Sequence, residues 1–277
     1  MSDGVRLDAL LVMRGLISGR EKAKELIENG AVLVNGKVMR KASLKVDAEC
    51  ELQCDTSSVR FVGRGGFKLE KALQISELDV SGKIAMDVGA STGGFTDCLL
   101  QSGAEKVYAI DVGTGQLHPS LCADARVINM EGTDIRSNVL HDNIPSRSVD
   151  VCAIDVSFIS LQQVLPSVLP YLRNGATILC LIKPQFEAGR SAVGKHGVVK
   201  DKKAHCAVLE AFCAFVFSLG LQVKCLDFSP VTGGEGNIEF LSVLVYTDTS
   251  AMCVLPAPIR EVVESAHKTL KKGGKER

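Results

Sequence analysis

Short apolar runs alternate with helix-length segments along most of the chain. From residue 83 onward, seven runs rich in β-branched and other apolar residues suit buried strands; they cover residues 84–88, 107–112, 126–130, 149–156, 176–182, 222–227 and 239–246. Near-continuous apolar runs separated by helical segments are typical of strands buried on both faces. The pattern therefore predicts an α/β fold with a doubly wound, largely parallel sheet of seven strands. A short glycine-rich loop at 232–236 joins the last two runs, so the last strand is expected to be antiparallel.

The first fifty residues follow a different pattern. Leucines spaced i, i+3 and i+4 predict a helix over 6–14. Ser18 and Glu21 have the spacing of a capping box, which would begin a second helix that ends near Gly30. The pair Asn35-Gly36 between alternating apolar residues is a strong hairpin signal. Two helices and a hairpin predict a small α+β domain.

The composition of the chain changes between these two patterns. Residues 55–66 are polar and rich in glycine, which is typical of a domain joint. We therefore expect four parts, which are an N-terminal domain at 1–58, a linker at 59–66, a large domain at 67–255 and a C-terminal tail at 256–277.

The formal net charge of zero hides an uneven distribution of charge. Residues 1–45 contain nine Lys and Arg against five Asp and Glu, and residues 260–277 contain six against three. Since the whole chain has 32 of each, the residues between them carry an excess of seven negative charges. Basic ends around an acidic body suggest that the ends meet a polyanion, although short solvated helices are often this basic.

The N-terminal pattern resembles the S4-like RNA-binding domain. The resemblance covers about residues 5–52 and rests on the Arg6-Leu7-Asp8 opening, the helix that ends at Gly30, and the Asn35-Gly36 hairpin. It implies a basic face that contacts RNA phosphates and binds with a steep dependence on salt. The basic residues predicted to contact RNA in this domain are Arg6, Arg14, Arg20, Lys22, Lys24, Lys37, Arg40 and Lys41.

A turn of small residues follows the first strand of the predicted sheet. Ligands of such sheets bind beyond the carboxyl ends of the strands, where small residues let the backbone approach a ligand closely. Ser91 stands where a dinucleotide-binding turn has its second glycine, and the Gly-Lys-Ser/Thr of a nucleoside triphosphate loop is absent. Acidic residues at successive strand ends favour S-adenosylmethionine instead, with Asp111 on the ribose and Asp134 near the adenine. The predicted cofactor-binding residues are Asp87, Gly89, Ala90, Ser91, Gly93, Gly94, Phe95, Asp111, Asp134 and Asp155.

Charged residues also stand at the ligand edge of later strands. Asp155 ends the fourth strand, Lys183 ends the fifth and Glu239 opens the seventh, while Lys68 lies near the start of the first helix of the large domain. A lysine that emerges from a buried strand is costly because burial disfavours its charge. The Asn/Asp-Pro-Pro-aromatic motif of base-amine methyltransferases and the Pro-Cys of cytosine C5 enzymes are both absent.

These four residues match the Lys-Asp-Lys-Glu tetrad of FtsJ-like ribose 2′-O-methyltransferases in identity and order. With the segments at 63–68, 87–96, 155–160 and 183–187, nearly the whole chain resembles the TlyA family. The resemblance implies a class I methyltransferase domain behind an S4-like domain, and 2′-O-methylation of cytidines in rRNA of the large and, for some members, the small ribosomal subunit. Some members carry a hemolysin label.

Ribose methylation requires that the 2′-hydroxyl lose or share its proton while it is aligned with the methyl group. We hypothesise that Lys183 contacts this hydroxyl and either accepts its proton or stabilises the developing alkoxide. Asp155 and Glu239 would orient that amine, and Lys68 would position the ribose. The glycine-rich segment at 184–200, here called the basic loop, is predicted to close over RNA through Arg190 and Lys195, and Arg64 is expected to follow the RNA at the domain joint.

Composition limits which functions other than methyl transfer need to be considered. The chain is 46% hydrophobic and 23% charged, which excludes disordered and fibrous classes. Its longest apolar stretches run seven residues, so we expect no membrane span, and we see no signal peptide. Scattered cysteines favour the reducing cytoplasm, no metal-ligand spacing occurs, and a monomer is favoured. A non-catalytic RNA-binding assembly factor stays open as an alternative, with a membrane-lytic hemolysin third.

Overall fold

The chain divides into two compact units. The N-terminal unit ends at Val62, and the large unit begins at Gly63. The structure is a computed structural model and describes residues 4–17, 19–28, 30–55, 60–189, 192–247 and 258–272.

The described residues of the N-terminal unit form two helices and five short strands. They are β1 (Val5–Arg6), α1 (Leu7–Met13), α2 (Arg20–Glu28), β2 (Val32–Val34), β3 (Lys37–Met39), β4 (Lys45–Val46) and β5 (Leu52–Cys54). Strand β2 pairs with β3 and β5, while β1 pairs with β4, all antiparallel. The β2–β3 turn has positive φ at both Asn35 and Gly36, as a two-residue type I′ hairpin requires. This confirms the predicted hairpin.

A small core holds the N-terminal unit together. The leucines predicted to share a face of α1 are buried, and so are Ala23, Leu26 and Ile27 of α2. The two helices pack on each other, as their i, i+3, i+4 spacing predicts. Ser18 of the predicted capping box lies outside the described residues, so the helix start is described only from Gly19 onward.

The large unit is a seven-stranded sheet with helices on its faces. Its strands are β6 (Ile84–Val88), β7 (Lys106–Asp111), β8 (Val127–Glu131), β9 (Val149–Ile154), β10 (Leu172–Ile182), β11 (Gln222–Phe228) and β12 (Phe240–Val245). Its helices are α3 (Gly65–Ser76), α4 (Gly94–Gln101), α5 (Pro119–Cys122), α6 (Leu140–Asn143), α7 (Leu161–Val168), α8 (Pro184–Glu187), α9 (Lys202–Ser218) and α10 (Ile259–Lys272).

The strand order is β11-β12-β10-β9-β6-β7-β8. Strands β6 to β10 pair in parallel, and β12 lies antiparallel between β10 and β11. The predicted α/β fold with an antiparallel last strand is thus confirmed. Because β12 runs in the opposite direction, Phe240 at its start pairs with Ile182 at the end of β10. The start of β12 therefore lies at the same edge as the carboxyl ends of the parallel strands.

One strand begins earlier than its apolar run predicts. Strand β10 starts at Leu172 rather than at residue 176, and its pairing register with β9 shifts between Leu172 and Thr177. The residues between are exposed and polar, and Gly175 has a φ of 83°. A hydrophobic pattern cannot detect such an irregular, solvated strand segment.

Candidate active site

Two lysines and two carboxylates form one continuous chain of ion pairs. Lys68 Nζ lies 2.7 Å from Glu239 Oε2 and 3.9 Å from Asp155 Oδ2. Lys183 Nζ lies 2.6 Å from Asp155 Oδ1. Asp155 therefore links both lysines, and the four residues singled out in the sequence converge at one place.

The fold explains this convergence. Asp155 directly follows β9 and Lys183 directly follows β10, and these strands are parallel neighbours. Glu239 directly precedes β12, the antiparallel neighbour of β10. Lys68 comes from the first turn of α3, which packs against β12 and β11. Residues more than 150 positions apart thus meet at one sheet edge.

The charges in this network are largely buried. Lys68 and Lys183 are each 8% exposed, and Glu239 is 2% exposed. Burial of a charge is costly unless the charge is paired, and here each one has an opposite partner. The four residues line a cavity of about 390 Å³ that also includes Arg64. The cavity can therefore admit a polar group within reach of both ammonium groups.

Ser157 and Phe158 belong to the same cavity, although sequence reasoning assigned them no role. Lys183 Nζ donates a hydrogen bond of 2.9 Å to Ser157 Oγ. Phe158 is 91% exposed, has a φ of 65° and faces the ring of Phe186 at 5.1 Å between centroids. A positive φ in a bulky residue is strained and often marks a functional site. The sequence signals were that both residues follow Asp155 and belong to the 155–160 segment that carries the family resemblance.

The glycine-rich loop before β12 shapes the position of Glu239. A Cβ on Gly233 would lie only 2.0 Å from Glu239 Oε1, so a side chain at 233 would displace the carboxylate. Gly234 has open space instead, since a Cβ there would meet nothing within 4 Å. Gly233 is thus required for the packing of Glu239, which in turn holds Lys68.

A second cavity of about 460 Å³ lies at the ends of β6, β7 and β9. Of the predicted cofactor-binding residues, five line it, which are Gly89, Ser91, Asp111, Asp134 and Asp155. Both oxygens of Asp111 accept backbone hydrogen bonds of 2.7 Å, from Ser91 N and Gly113 N. These bonds fix the turn after β6 to the end of β7.

The two cavities share one wall. Asp155, Ser157 and Phe158 line both of them. Gly89 packs against the backbone of this segment, since a Cβ at Gly89 would lie 2.4 Å from the Asp155 carbonyl oxygen. Any larger residue at 89 would separate β6 from β9 at the point where the cavities meet.

The other five predicted cofactor residues lie outside the lining of this cavity. Ala90, Gly93, Gly94 and Phe95 do not line the second cavity, and neither does Asp87. Asp87 is fully buried and accepts a hydrogen bond of 2.7 Å from Thr96 Oγ1. Burial raises the pKa of Asp87 to about 7, with Asp155 and Asp111 adding repulsion.

Asp134 at the cavity rim is held by an arginine. Arg136 Nη2 lies 2.6 Å from Asp134 Oδ2, and this side-chain hydrogen bond lowers the pKa of Asp134. The carboxylate therefore reaches the cavity as part of an ion pair rather than as a free acid.

The basic residues of the N-terminal unit fall into two groups. Lys22, Lys24, Lys37 and Lys41 are exposed. The exposed arginines also make internal contacts: Arg6 and Arg20 with Asp8, Arg14 with the carbonyls of Ala48 and Cys50, and Arg40 with the carbonyl of Glu28. In the large unit Arg64 and Lys195 are exposed, while Arg190 lies outside the described residues.

Two features are absent from the described part of the chain. No helix there is long and apolar enough to cross a membrane. No group of three or more His, Cys, Asp or Glu residues among the described positions could hold a metal ion.

Comparisons with known proteins identify the family of this chain. The model of the FtsJ-like methyltransferase family matches residues 61–246, and that of the S4 domain matches residues 5–51. YqxC of Bacillus subtilis is 47% identical over 96% of this chain and 95% of its own length. The 16S/23S rRNA (cytidine-2′-O)-methyltransferase TlyA of Mycobacterium tuberculosis is 41% identical over 90% of this chain and 92% of its own.

A solved structure extends the similarity to both units. It is a protein from Streptococcus thermophilus described as a hemolysin, with a TM-score of 0.77 and 44% identity over 99% of this chain and 100% of that one. The chain therefore belongs to the TlyA family of FtsJ-like methyltransferases, in which an S4 domain precedes the methyltransferase fold.

Proposed function

We propose that this protein transfers a methyl group from S-adenosylmethionine to the ribose 2′-hydroxyl of a cytidine in ribosomal RNA. The large subunit is the expected substrate, with the small subunit as a second one. The observation that carries the proposal is the Glu239–Lys68–Asp155–Lys183 chain of ion pairs beside the cavity at Gly89. The relatives named as rRNA methyltransferases support the choice of RNA.

The second cavity fits the methyl donor. The carboxylate of Asp111 lies at its edge, where it can accept hydrogen bonds from ribose hydroxyls. Gly89 lines this cavity while it lets the Asp155 backbone pack close behind it, and apolar side chains such as Val112 and Ile135 can flank an adenine. S-adenosylmethionine bound there supplies a methyl group on a positively charged sulfur. The first cavity, which is lined by Lys68 and Lys183, is proposed to hold the acceptor ribose and is here called the acceptor cavity. It begins at the shared wall of Asp155, Ser157 and Phe158.

Lys183 is proposed to contact the hydroxyl that receives the methyl group. Its ammonium has three N–H groups, and the structure engages two acceptors, Asp155 and Ser157. The remaining position is available to the 2′-oxygen. Either a neutral Lys183 would accept the hydroxyl proton, or its ammonium would stabilise the developing alkoxide while the proton leaves to water. In both cases the 2′-oxygen would bond to the methyl carbon as the carbon–sulfur bond breaks, with S-adenosylhomocysteine as the leaving group.

The other three residues are proposed to hold Lys183 and the ribose in place. Asp155 fixes the amine of Lys183 at 2.6 Å, and Glu239 fixes that of Lys68 at 2.7 Å. Lys68 is proposed to contact the ribose of the target nucleotide. Because such positioning removes the need to align the reactants in each encounter, it contributes substantially to the rate.

The N-terminal unit is proposed to be the RNA-binding domain, with boundaries at 1–58 and the methyltransferase domain at 67–255. Its exposed lysines would contact phosphates, and its arginines would add charge while they also brace the unit. Arg64 at the acceptor cavity and Lys195 of the basic loop would extend this contact toward the site. A protein that acts on ribosomal subunits is expected in the cytoplasm, which suits cysteines that are free throughout the described residues.

Methyl transfer from radiolabelled S-adenosylmethionine to purified ribosomal subunits tests the proposal. The subunits are purified from cells that lack the enzyme, and we expect the added enzyme to label their RNA. Ribose mapping should place the label on a cytidine 2′-oxygen. Comparison of large and small subunits identifies the substrate. Binding of RNA without any label would instead support the assembly factor.

A further inference from the structure

Asn237 joins two loops that border the active site. Its side chain is buried, with 3% exposure of the residue, and it makes three hydrogen bonds. Its Oδ1 accepts from Val199 N at 3.1 Å, and its Nδ2 donates to the carbonyls of Gly197 at 3.0 Å and Gly234 at 3.1 Å. One amide therefore ties the basic loop to the glycine-rich loop.

The basic loop depends on this amide for its shape. Gly197 and Val199 are both bound by Asn237, and the carbonyl of Val199 accepts a further hydrogen bond from His205 on α9. Val199 is 2% exposed, so both of its backbone polar groups are satisfied inside the protein. The exposed Lys195 lies only two residues before Gly197 on the same loop.

Asn237 also holds the glycine-rich loop at 232–236. Gly233 N donates to the Asn237 carbonyl at 2.9 Å, and the Asn237 side chain holds Gly234. Gly233 packs against the Glu239 carboxylate so closely that no Cβ fits between them. A shift of the basic loop at Gly197 can thus reach Glu239 through one asparagine and one glycine, and then Lys68 through the ion pair of 2.7 Å.

We propose that Asn237 is a positioning residue that couples contact of RNA with the basic loop to the placement of the Glu239–Lys68 pair. The inference rests on the proposed function. Asparagine suits this task because it presents one acceptor to an N–H and two donors to two carbonyls. Aspartate has the same shape but would direct a carboxylate at the carbonyls of Gly197 and Gly234.

The first test is Asn237→Asp, with Asn143→Asp as the matched control. Asn143 is exposed on α6 and donates to the Val139 carbonyl of its own segment. For Asn237→Asp we expect kcat at saturating RNA and methyl donor to fall about 10- to 100-fold, because a misplacement of about 1 Å has effects of this size. The affinity for S-adenosylmethionine, measured by calorimetry, should stay unchanged, and so should kcat of the control. A folded Asn237→Asp variant with the kcat of the wild type overturns the proposal.

The second test uses the wild type and therefore does not depend on the folding of a variant. Hydrogen exchange is followed with and without a ribosomal RNA fragment, and we expect RNA to slow exchange at residues 233–237 as well as at the basic loop. In Lys195→Ala, RNA should no longer slow exchange at residues 233–237. If RNA does not change exchange at these residues in the wild type, the coupling is overturned. If the wild type transfers no methyl group while exchange responds, the proposed function fails and the coupling stands.

Discussion

The two units place their charges in opposite ways. At the active site, lysines and carboxylates are buried against one another, and Lys68, Lys183 and Glu239 are each less than a tenth exposed. In the N-terminal unit the lysines are exposed to solvent. Buried pairs act through fixed geometry, whereas exposed charges act through attraction that salt screens. The first arrangement suits chemistry on one atom, and the second suits a long polyanion.

Two buried aspartates, one in each unit, differ in what sets their pKa. Asp87, beneath the turn after β6, is fully buried, and its pKa is raised to about 7 by burial. Asp8, in the N-terminal unit, is also little exposed, but the side-chain hydrogen bond from Arg6 lowers its pKa to about 2. Ionisation of Asp87 therefore opposes folding at neutral pH, while that of Asp8 supports it until the pH falls toward 2.

Removal of the Lys183 amine, which is proposed to contact the reacting oxygen, should have the largest effect. We expect Lys183→Ala to lower the rate of methyl transfer roughly 10²- to 10⁴-fold, which is the range for general acid–base assistance by one side chain. Single-turnover assays measure the rate, and calorimetry should give an unchanged affinity for the methyl donor. Lys106→Ala, at the start of β7, is the control. Full activity in Lys183→Ala would remove the basis of the mechanism.

Asp87→Asn should change how stability depends on pH. Between about pH 4 and 7 the folded state of the wild type holds a proton on Asp87 that the unfolded state releases, so its free energy of unfolding falls as pH rises and is level above 7. Relative to Asp87→Asn, we expect this decrease to reach roughly 4 kcal/mol. Urea unfolding at several pH values measures it. Parallel curves for the wild type and Asp87→Asn would contradict the raised pKa of Asp87. The control Asp79→Asn, at an exposed site, retains Asp87 and should keep the pH-dependent decrease of the wild type.

A single methyl group at position 233 should disturb the Glu239–Lys68 ion pair, because it would collide with the Glu239 carboxylate. Gly233→Ala is expected to displace Glu239 and reduce kcat about 100-fold, as a shift of about 1 Å can do. The control Gly19→Ala, in the N-terminal unit, has room for its Cβ and should leave kcat at saturating RNA unchanged. Equal kcat values for the two variants would show that the position of Glu239 is not critical.

The smallest effect is expected from the exposed lysines of α2. Lys22→Ala combined with Lys24→Ala should weaken RNA binding and reduce the slope of log affinity against log salt by about 2, because two phosphates would no longer be neutralised. The value of kcat at saturating RNA should not change. Arg14→Gln is the comparison, since its hydrogen bonds to backbone carbonyls predict a larger change in stability than in the salt slope. An unaltered salt slope in the double variant would exclude α2 from the RNA interface.

Much of the fold followed from the sequence because each part has a local signal. The buried strands are continuous apolar runs, and the hairpin at Asn35-Gly36 needs only two residues with positive φ. The convergence of Lys68, Asp155, Lys183 and Glu239 could be expected because parallel strands end at a common edge. Their identity as a set came from the family resemblance, and spacing alone did not reveal it.

What the sequence did not reveal depends on contacts between distant segments. The sequence predicted both Asp87 and Asp111 as cofactor-binding residues, but only the structure shows that Asp111 lines the cavity whereas Asp87 is fully buried and does not line it. The left-handed backbone of Phe158 has no signal in its composition, and neither do the three hydrogen bonds of Asn237. Pairing of Arg14 with backbone carbonyls likewise depends on how the chain returns to α1.

The wall formed by Asp155, Ser157 and Phe158 has a consequence for inhibition. Because these residues line both cavities, a compound that joins a nucleoside to a mimic of the target ribose would rest on a single short segment. Substitutions that weaken such a compound would fall on residues that line both cavities, including Asp155 of the proposed catalytic set. If these residues act as proposed, resistance by mutation at this wall would therefore also lower the rate of methyl transfer.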